Sequence, residues 1–314
     1  MNKSAQTPDI SSQPTPRYLL TRLSLALLRA CTHLPFTWQI HLGKGLGTLM
    51  YFSMSRRRHI AEVNLRLCFP NQDHAARSQL VRKAFHSAGI SLFETALCWW
   101  GSDKQLAPLC EIHGLEHLRA ALKAGKGVIL LSAHFTCLEI GGRLLSLHHP
   151  FAVMYKRHRN PVFETVMKQA RETQFERAIP QEDIRLMLRT LKENLAVWYA
   201  PDQDLGRIRS VFAPFMGVPA ATLTAPARLT KMSGAKVVPF FPLRKPDNSG
   251  YVLTILPALK DFPVEDDSID CEVANATRIN AIIEQQILKA PEQYLWLHRR
   301  FKSRPGDEPS FYES

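Results

Sequence analysis

The sequence predicts an α/β protein: a central, mostly buried β-sheet flanked by helices, with a helical, membrane-associated segment at the N-terminus. Two observations predict the core. From Gly125 onward, short β-branched runs alternate with longer helix-like stretches, the pattern of strands joined through helices. The first of these runs, Gly127-Val128-Ile129-Leu130-Leu131-Ser132, is apolar along its length, as a buried strand requires. A third observation concerns the N-terminus. Residues 1–58 carry eight Lys/Arg (Lys3, Arg17, Arg22, Arg29, Lys44, Arg56, Arg57, Arg58) against Asp9 alone, over half of the chain's formal net charge of +12.

Residues 1–16 are rich in Ser, Thr, Gln and Pro, which predicts a disordered tail. Residues 17–55 are apolar but interrupted by Arg22, Arg29, His33, His41 and Lys44. No run reaches the roughly 18–20 apolar residues of a spanning helix, and no signal-peptide cleavage site follows. Apolar segments laced with Arg and Trp and closed by Arg56-Arg57-Arg58 read as an interfacial or shallowly inserted anchor. The positive charge favours the cytoplasmic face.

Residues 59–122 read as helical, with Leu65, Leu67, Leu80, Val81, Phe85, Ile90 and Phe93 in the core. Trp99-Trp100 fits core packing, an acyl-pocket wall or an interfacial contact. The expected strands are 128–132, 151–155, 195–200, 236–242 and 251–256. The expected helices are 136–147, 161–176, 182–194, 222–232 and 271–290. The main domain spans 56–305, and 306–314 is a polar, mobile tail. The cysteines (Cys31, Cys68, Cys98, Cys110, Cys137, Cys271) are scattered without a Cys-x-x-Cys pair, which argues against a zinc site or a disulfide framework. The basic balance implies acidic partners: nucleic acid, anionic lipid or an acidic protein.

Three constellations carry possible chemistry. His134 and Glu139 follow the 128–132 strand, and sites in open α/β sheets gather where strands end. An imidazole in the loop and a carboxylate in the first helical turn can form a base and its orienting partner. The same residues also fit a capping box, Thr136-Cys137-Leu138-Glu139, in which Glu139 only closes the helix start. Lys156, Arg159 and Asn160 follow the second strand and lead into a helix, a junction suited to a phosphorylated ligand or to a solvated basic loop. Asp202 and Asp204 follow the third strand. They could hold a cation or pair with Arg207 and Arg209, and no further carboxylate cluster supports a metal.

Taken together, Ser132-Ala133-His134 through Glu139, Arg159-Asn160-Pro161, Asp202-Gln203-Asp204, Val211-Phe212-Ala213-Pro214-Phe215-Met216-Gly217, Ala220-Ala221-Thr222 and Pro291-Glu292-Gln293-Tyr294 through Phe301-Lys302 resemble the late (secondary) acyltransferases of lipid A biosynthesis. These belong to the wider superfamily with a His-x-x-x-x-Asp/Glu motif, and the resemblance covers roughly residues 56–305. It implies a glycerolipid-acyltransferase-like domain at the cytoplasmic face of a bacterial inner membrane. It also implies transfer of a lauroyl- or myristoyl-class chain from acyl carrier protein to a hydroxyl on a phosphorylated lipid A precursor. No cofactor, metal or nucleic acid is implied.

On that resemblance His134 is the general base toward the acceptor hydroxyl, and Glu139 orients the imidazole. No acyl-enzyme forms. N–H groups of the helix opening near Thr136 are candidate oxyanion donors, and their positive field would keep His134 neutral. Lys156 and Arg159 would bind a phosphate or position the donor, and Asn160 would fix their loop. Asp202 and Asp204 would sit behind the reacting groups or bind the acceptor. The competing readings are a thioesterase, an acyl-coenzyme A-dependent acylation of another glycolipid, and a membrane lipid-binding protein without chemistry.

Overall fold

The computed structural model describes residues 18–264 and 268–313, so the tail expected at 1–16 lies outside the described residues. In chain order the elements are α1 (Leu19–Cys31), α2 (Phe36–Ser53), α3 (Ser55–Cys68), α4 (His74–Trp100), α5 (Asp103–Leu106), β1 (Cys110–His113), α6 (Leu115–Leu122), β2 (Val128–Leu131), α7 (Leu138–Ser146), β3 (Ala152–Tyr155), α8 (Pro161–Gln174), β4 (Arg177–Pro180), α9 (Ile184–Lys192), β5 (Ala196–Tyr199), β6 (Ser210–Phe215), β7 (Val218–Leu223), α10 (Ala225–Ser233), β8 (Lys236–Arg244), β9 (Tyr251–Ile255) and α11 (Ile269–Ile287).

Seven strands form one sheet in the order β1-β9-β8-β2-β5-β3-β4. Every pairing is parallel except β8 with β9. The apolar run Val128–Leu131 becomes the central strand and is buried at all four positions, because helices cover both faces of a parallel sheet. All five expected strands form, most of them a residue or two shorter at their ends.

Four strands were not expected. β1 and β4 are four-residue edge strands, and β4 ends in Pro180. β6 and β7 form a separate hairpin across Phe215 and Val218. Its two turn residues, Met216 and Gly217, both have positive φ (50° and 81°), the geometry of a two-residue hairpin turn.

The N-terminal helices pack on the main domain. α4 is 27 residues long, capped by Asp73, whose carboxylate accepts the Ala76 N–H at 2.7 Å. α2 crosses α4 at very short range through Gly43, Gly47 and Gly89. A Cβ on Gly89 would lie 2.2 Å from the Gly43 carbonyl oxygen and 2.4 Å from the Gly47 nitrogen. Among the described residues, no helix is long and apolar enough to cross a membrane. α1 and α2 nevertheless expose Leu20, Leu23, Leu27, Trp38, Leu49 and Phe52 to solvent. All six cysteines are free thiols.

Within 306–314, expected as a polar tail, Tyr312 makes contacts with the main domain. Tyr312 is buried, its hydroxyl accepts the Phe301 N–H at 3.0 Å, and it donates to Asn64.

Candidate active site

Parallel pairing of β2 with β5 places Leu131 opposite Tyr199. One further ladder bond, Ser132 N–H to the Tyr199 carbonyl at 2.9 Å, carries the pair past the strand ends. His134 and Asp202 each lie three residues beyond that register point, at the carboxyl edge of the sheet. They meet there. The His134 Nδ1–H donates to Asp202 Oδ1 at 2.7 Å, and the His134 backbone N–H donates to Asp202 Oδ2 at 2.9 Å. The Asp202 side chain is 1% exposed and that of His134 28%. The imidazole therefore has one buried, anchored nitrogen and one that faces an opening.

The imidazole's partner is thus Asp202, not the expected Glu139. Glu139 sits in the first turn of α7 and its carboxylate is held by Arg171 of α8. Arg171 Nη2 donates to both carboxylate oxygens at 2.8 Å, and Nε donates to Oε1 at 3.1 Å. The Trp99 indole N–H lies 3.5 Å from the same Oε1. Nor does the capping-box reading hold. α7 begins at Leu138 behind Cys137 with no side-chain cap, and the Thr136 hydroxyl instead meets Ser87 at 2.6 Å. Arg171 holds Glu139 because a guanidinium offers a carboxylate several charge-assisted donors, where a helix start offers single backbone N–H groups.

Electrostatics follow from these partners. Burial disfavours charge on His134, but the Asp202 carboxylate outweighs it, and the imidazole's pKa lies above the ordinary histidine value. This corrects the expectation that the helix field alone would hold it down. Asp202 also resists ionisation through burial, yet His134, its N–H and the Tyr294 hydroxyl pull the pKa down to about 2. The oxyanion expectation narrows as well, since the Thr136 N–H is committed to the Gln293 carbonyl at 2.7 Å.

His134, Glu139 and Arg171 line one cavity of about 440 Å³. Its walls are largely apolar, including Leu138, Val153, Met154, Phe175 and Trp198, and Lys156 and Arg209 also border it. Such a shape suits a long apolar ligand with one polar end.

The other expected site residues divide. Lys156 borders the cavity. Arg159 is exposed on the loop beside it. Asn160 caps α8, accepting the Val162 N–H at 3.1 Å and the Phe163 N–H at 3.4 Å, and donates to Thr21 of α1 at 2.9 Å. Its side chain is occupied by that cap and by α1. Asp204 accepts the Gly206 N–H at 2.9 Å and both the N–H and hydroxyl of Ser303, so it clasps the C-terminal segment. The two aspartates therefore point to different partners rather than to one shared cation.

Arg171 and Tyr294 were missed as site residues. Arg171 had a readable signal: it shares a helix face with the buried Met167 four residues earlier, where a charge needs a partner.

The sequence matches the family model described as bacterial lipid A biosynthesis acyltransferase over residues 10–303. The chain belongs to this family. It is 39% identical to the lipid A biosynthesis lauroyltransferase of Escherichia coli (strain K12), across 95% of this chain and 96% of that protein. It is 37% identical to the lipid A biosynthesis palmitoleoyltransferase of the same organism, across 95% of each. It is 29% identical to the lipid A biosynthesis myristoyltransferase of the same organism, across 98% of this chain and 94% of that protein. Membership makes the protein an acyltransferase of lipid A biosynthesis, and the cavity beside His134 is the candidate site of that transfer.

Proposed function

We propose that the protein transfers a fatty acyl chain from acyl carrier protein to a hydroxyl on an acyl chain of a phosphorylated lipid A precursor, with His134 as general base. The observation that carries this reading is the His134–Asp202 pair at the mouth of an apolar cavity. The free imidazole nitrogen takes the proton of the acceptor hydroxyl as that oxygen attacks the thioester carbonyl. Asp202 fixes the tautomer and stabilises the imidazolium. The thiol of the donor's prosthetic group leaves with the proton that His134 returns. The acceptor oxygen is itself the nucleophile, so no acyl-enzyme is required.

Glu139 acts in this scheme through Arg171. Their pair forms the charged stretch of an otherwise apolar wall and fixes a cation within reach of the thioester end of the chain. Lys156 and Arg209 at the cavity and Arg159 on the neighbouring loop supply positive charge, suited to phosphate on either substrate.

α1 and α2 are read as an interfacial anchor on the cytoplasmic face of the inner membrane, ahead of a catalytic region at 56–305. The exposed leucines of α1, with Arg22 and Arg29 beside them, support contact with an anionic surface.

The test is incubation of the purified protein in detergent with lauroyl- or myristoyl-charged carrier protein and a phosphorylated lipid A precursor, with products read by mass spectrometry. A gain of one or two acyl units, absent in His134→Ala, supports the reading. Acyl released only as free acid would contradict it, as would full activity in His134→Ala.

A further inference from the structure

Resting on the reading of α1 as an interfacial helix, we propose that the groove between α1 and α8 is a binding site for one acyl chain of an anionic membrane phospholipid, with Arg22 and Arg29 at its rim. The groove shares no lining residue with the cavity beside His134. It exists because α1 is pinned near both ends and spaced from the body between them. The Asn160 amide donates to the Thr21 hydroxyl at 2.9 Å, and the Gln105 amide donates to the Thr32 carbonyl at 3.3 Å. Between these bonds α1 buries Leu25 alone. The space left is about 490 Å³ and opens to solvent, a volume in the range of small-ligand clefts.

The walls are apolar and the rim is positive. α1 supplies Arg22, Leu25, Ala26 and Arg29, the i, i+3, i+4, i+7 stripe of one helix face. α8 supplies Val162, Val166 and Ala170, one per turn. Trp99 and Trp100, at the end of α4, complete the lining with their rings edge to face at 5.6 Å. No carboxylate lines the groove, so its charge complements an anion. Leu20, Leu23 and Leu27 form the adjoining stripe of α1 and are exposed.

This combination selects the occupant. An apolar slot takes a hydrocarbon chain, and a cationic rim takes an anionic headgroup. The neighbouring exposed leucines place the slot beside the bilayer that supplies the lipid. A neutral apolar ligand would make no use of the arginines. Trp99 also reaches the catalytic wall, its indole N–H lying 3.5 Å from Glu139. A chain in the groove therefore braces the wall that carries the Glu139–Arg171 pair.

The test uses the tryptophans as reporters. Full-length protein carrying Trp38→Phe, which removes the exposed indole of α2, is titrated in neutral detergent with phosphatidylglycerol brominated along its acyl chains. Bromine quenches indole fluorescence only near contact. The expected result is saturable quenching, with about fivefold in affinity from each arginine that engages the headgroup, and weaker binding of brominated phosphatidylcholine. Ala26→Phe fills the groove from its exposed side and abolishes the quenching. Arg29→Gln weakens phosphatidylglycerol binding about fivefold and leaves phosphatidylcholine unchanged. Quenching that survives Ala26→Phe, or equal affinity for the two lipids, would overturn the proposal. So would displacement of the bromolipid by an equimolar lipid A precursor, which would give the groove to the substrate. Co-sedimentation with anionic vesicles reports on the anchor separately: a protein that binds vesicles but shows no such quenching keeps the reading of α1 and loses the groove.

Discussion

Leu131 and Tyr199 face each other in the parallel ladder, and three residues beyond each of them His134 and Asp202 meet at 2.7 Å. Two strand ends in register therefore build the pair, and each chemical group is supplied by the loop that follows its own strand. The backbone N–H of His134 bonds the same carboxylate, which locks the loop as well as the ring.

The pair makes stability and activity respond to pH in a defined way. Asp202, with its pKa depressed to about 2, contributes stability that is fully present above the ordinary carboxylate value near 3.9 and is lost as pH falls toward 2. His134, with its pKa raised, contributes stability that is fully present below about 6.5 and is lost as pH rises through its higher folded value. The difference in melting temperature between the natural protein and Asp202→Asn is accordingly greatest between about pH 4 and 6.5 and shrinks on both sides. On the proposed mechanism activity needs the neutral imidazole, so its acid limb is expected above the ordinary histidine value. Thermal scans and rate profiles across pH check both statements.

Glu139 and Arg171 act as a unit, so their substitutions are not independent. Arg171→Ala strands a partly buried carboxylate, Glu139→Gln strands the guanidinium, and the double variant has little further to lose. We expect each single change to cost about tenfold or more in kcat/KM, and the pair together far less than the product of the two. Steady-state rates for the four forms give the coupling. Multiplicative losses would show that the ion pair has no joint role.

The α2–α4 crossing offers an internally controlled stability test. Gly89→Ala forces a methyl group onto the backbone of α2 and should cost about 1–3 kcal/mol or more. Gly45→Ala lies on the same α2 helix but meets nothing within 4 Å, so it should be neutral or stabilising by up to about 1 kcal/mol. Denaturation midpoints of both variants in one detergent decide the comparison.

Membrane contact through α1 is tested by charge. Leu20 and Leu27 are 79% and 67% exposed, so replacing both by Asp should leave the fold intact. Each leucine buried at a bilayer interface is worth roughly 1.5–3 kcal/mol, so affinity for anionic vesicles should fall at least about a hundredfold in co-sedimentation. Equal binding by the variant would remove α1 from the contact.

Much of this architecture was legible in the sequence, for reasons that particular residues show. Val128–Leu131 announced itself because a buried central strand is continuously apolar, and the loop carrying His134 followed from its end. The β6–β7 hairpin escaped because Pro214 and Pro219 interrupt its pattern, and prolines argue against a central strand. β1 and β4 are too short and too polar to stand out at the sheet edges. Asp202 was singled out as a residue but not as the partner of His134. The two are 68 positions apart, and their meeting depends on β5 lying beside β2, an ordering that local pattern does not encode. Glu139 misled for the converse reason: it is close in sequence, but Arg171, 32 positions later on another helix, captures its carboxylate.

The most direct test of the account is the rate of acyl transfer by Asp202→Asn, measured across pH beside Glu139→Gln. If Asp202 orients and charges the base, the asparagine variant stays folded and loses about 10²–10⁴ in kcat. Its acid limb also moves to lower pH, because burial of His134 is no longer opposed, whereas that of Glu139→Gln stays where it was. An Asp202→Asn enzyme with the natural rate and the natural pH profile would contradict the pairing of His134 with Asp202 as the working dyad.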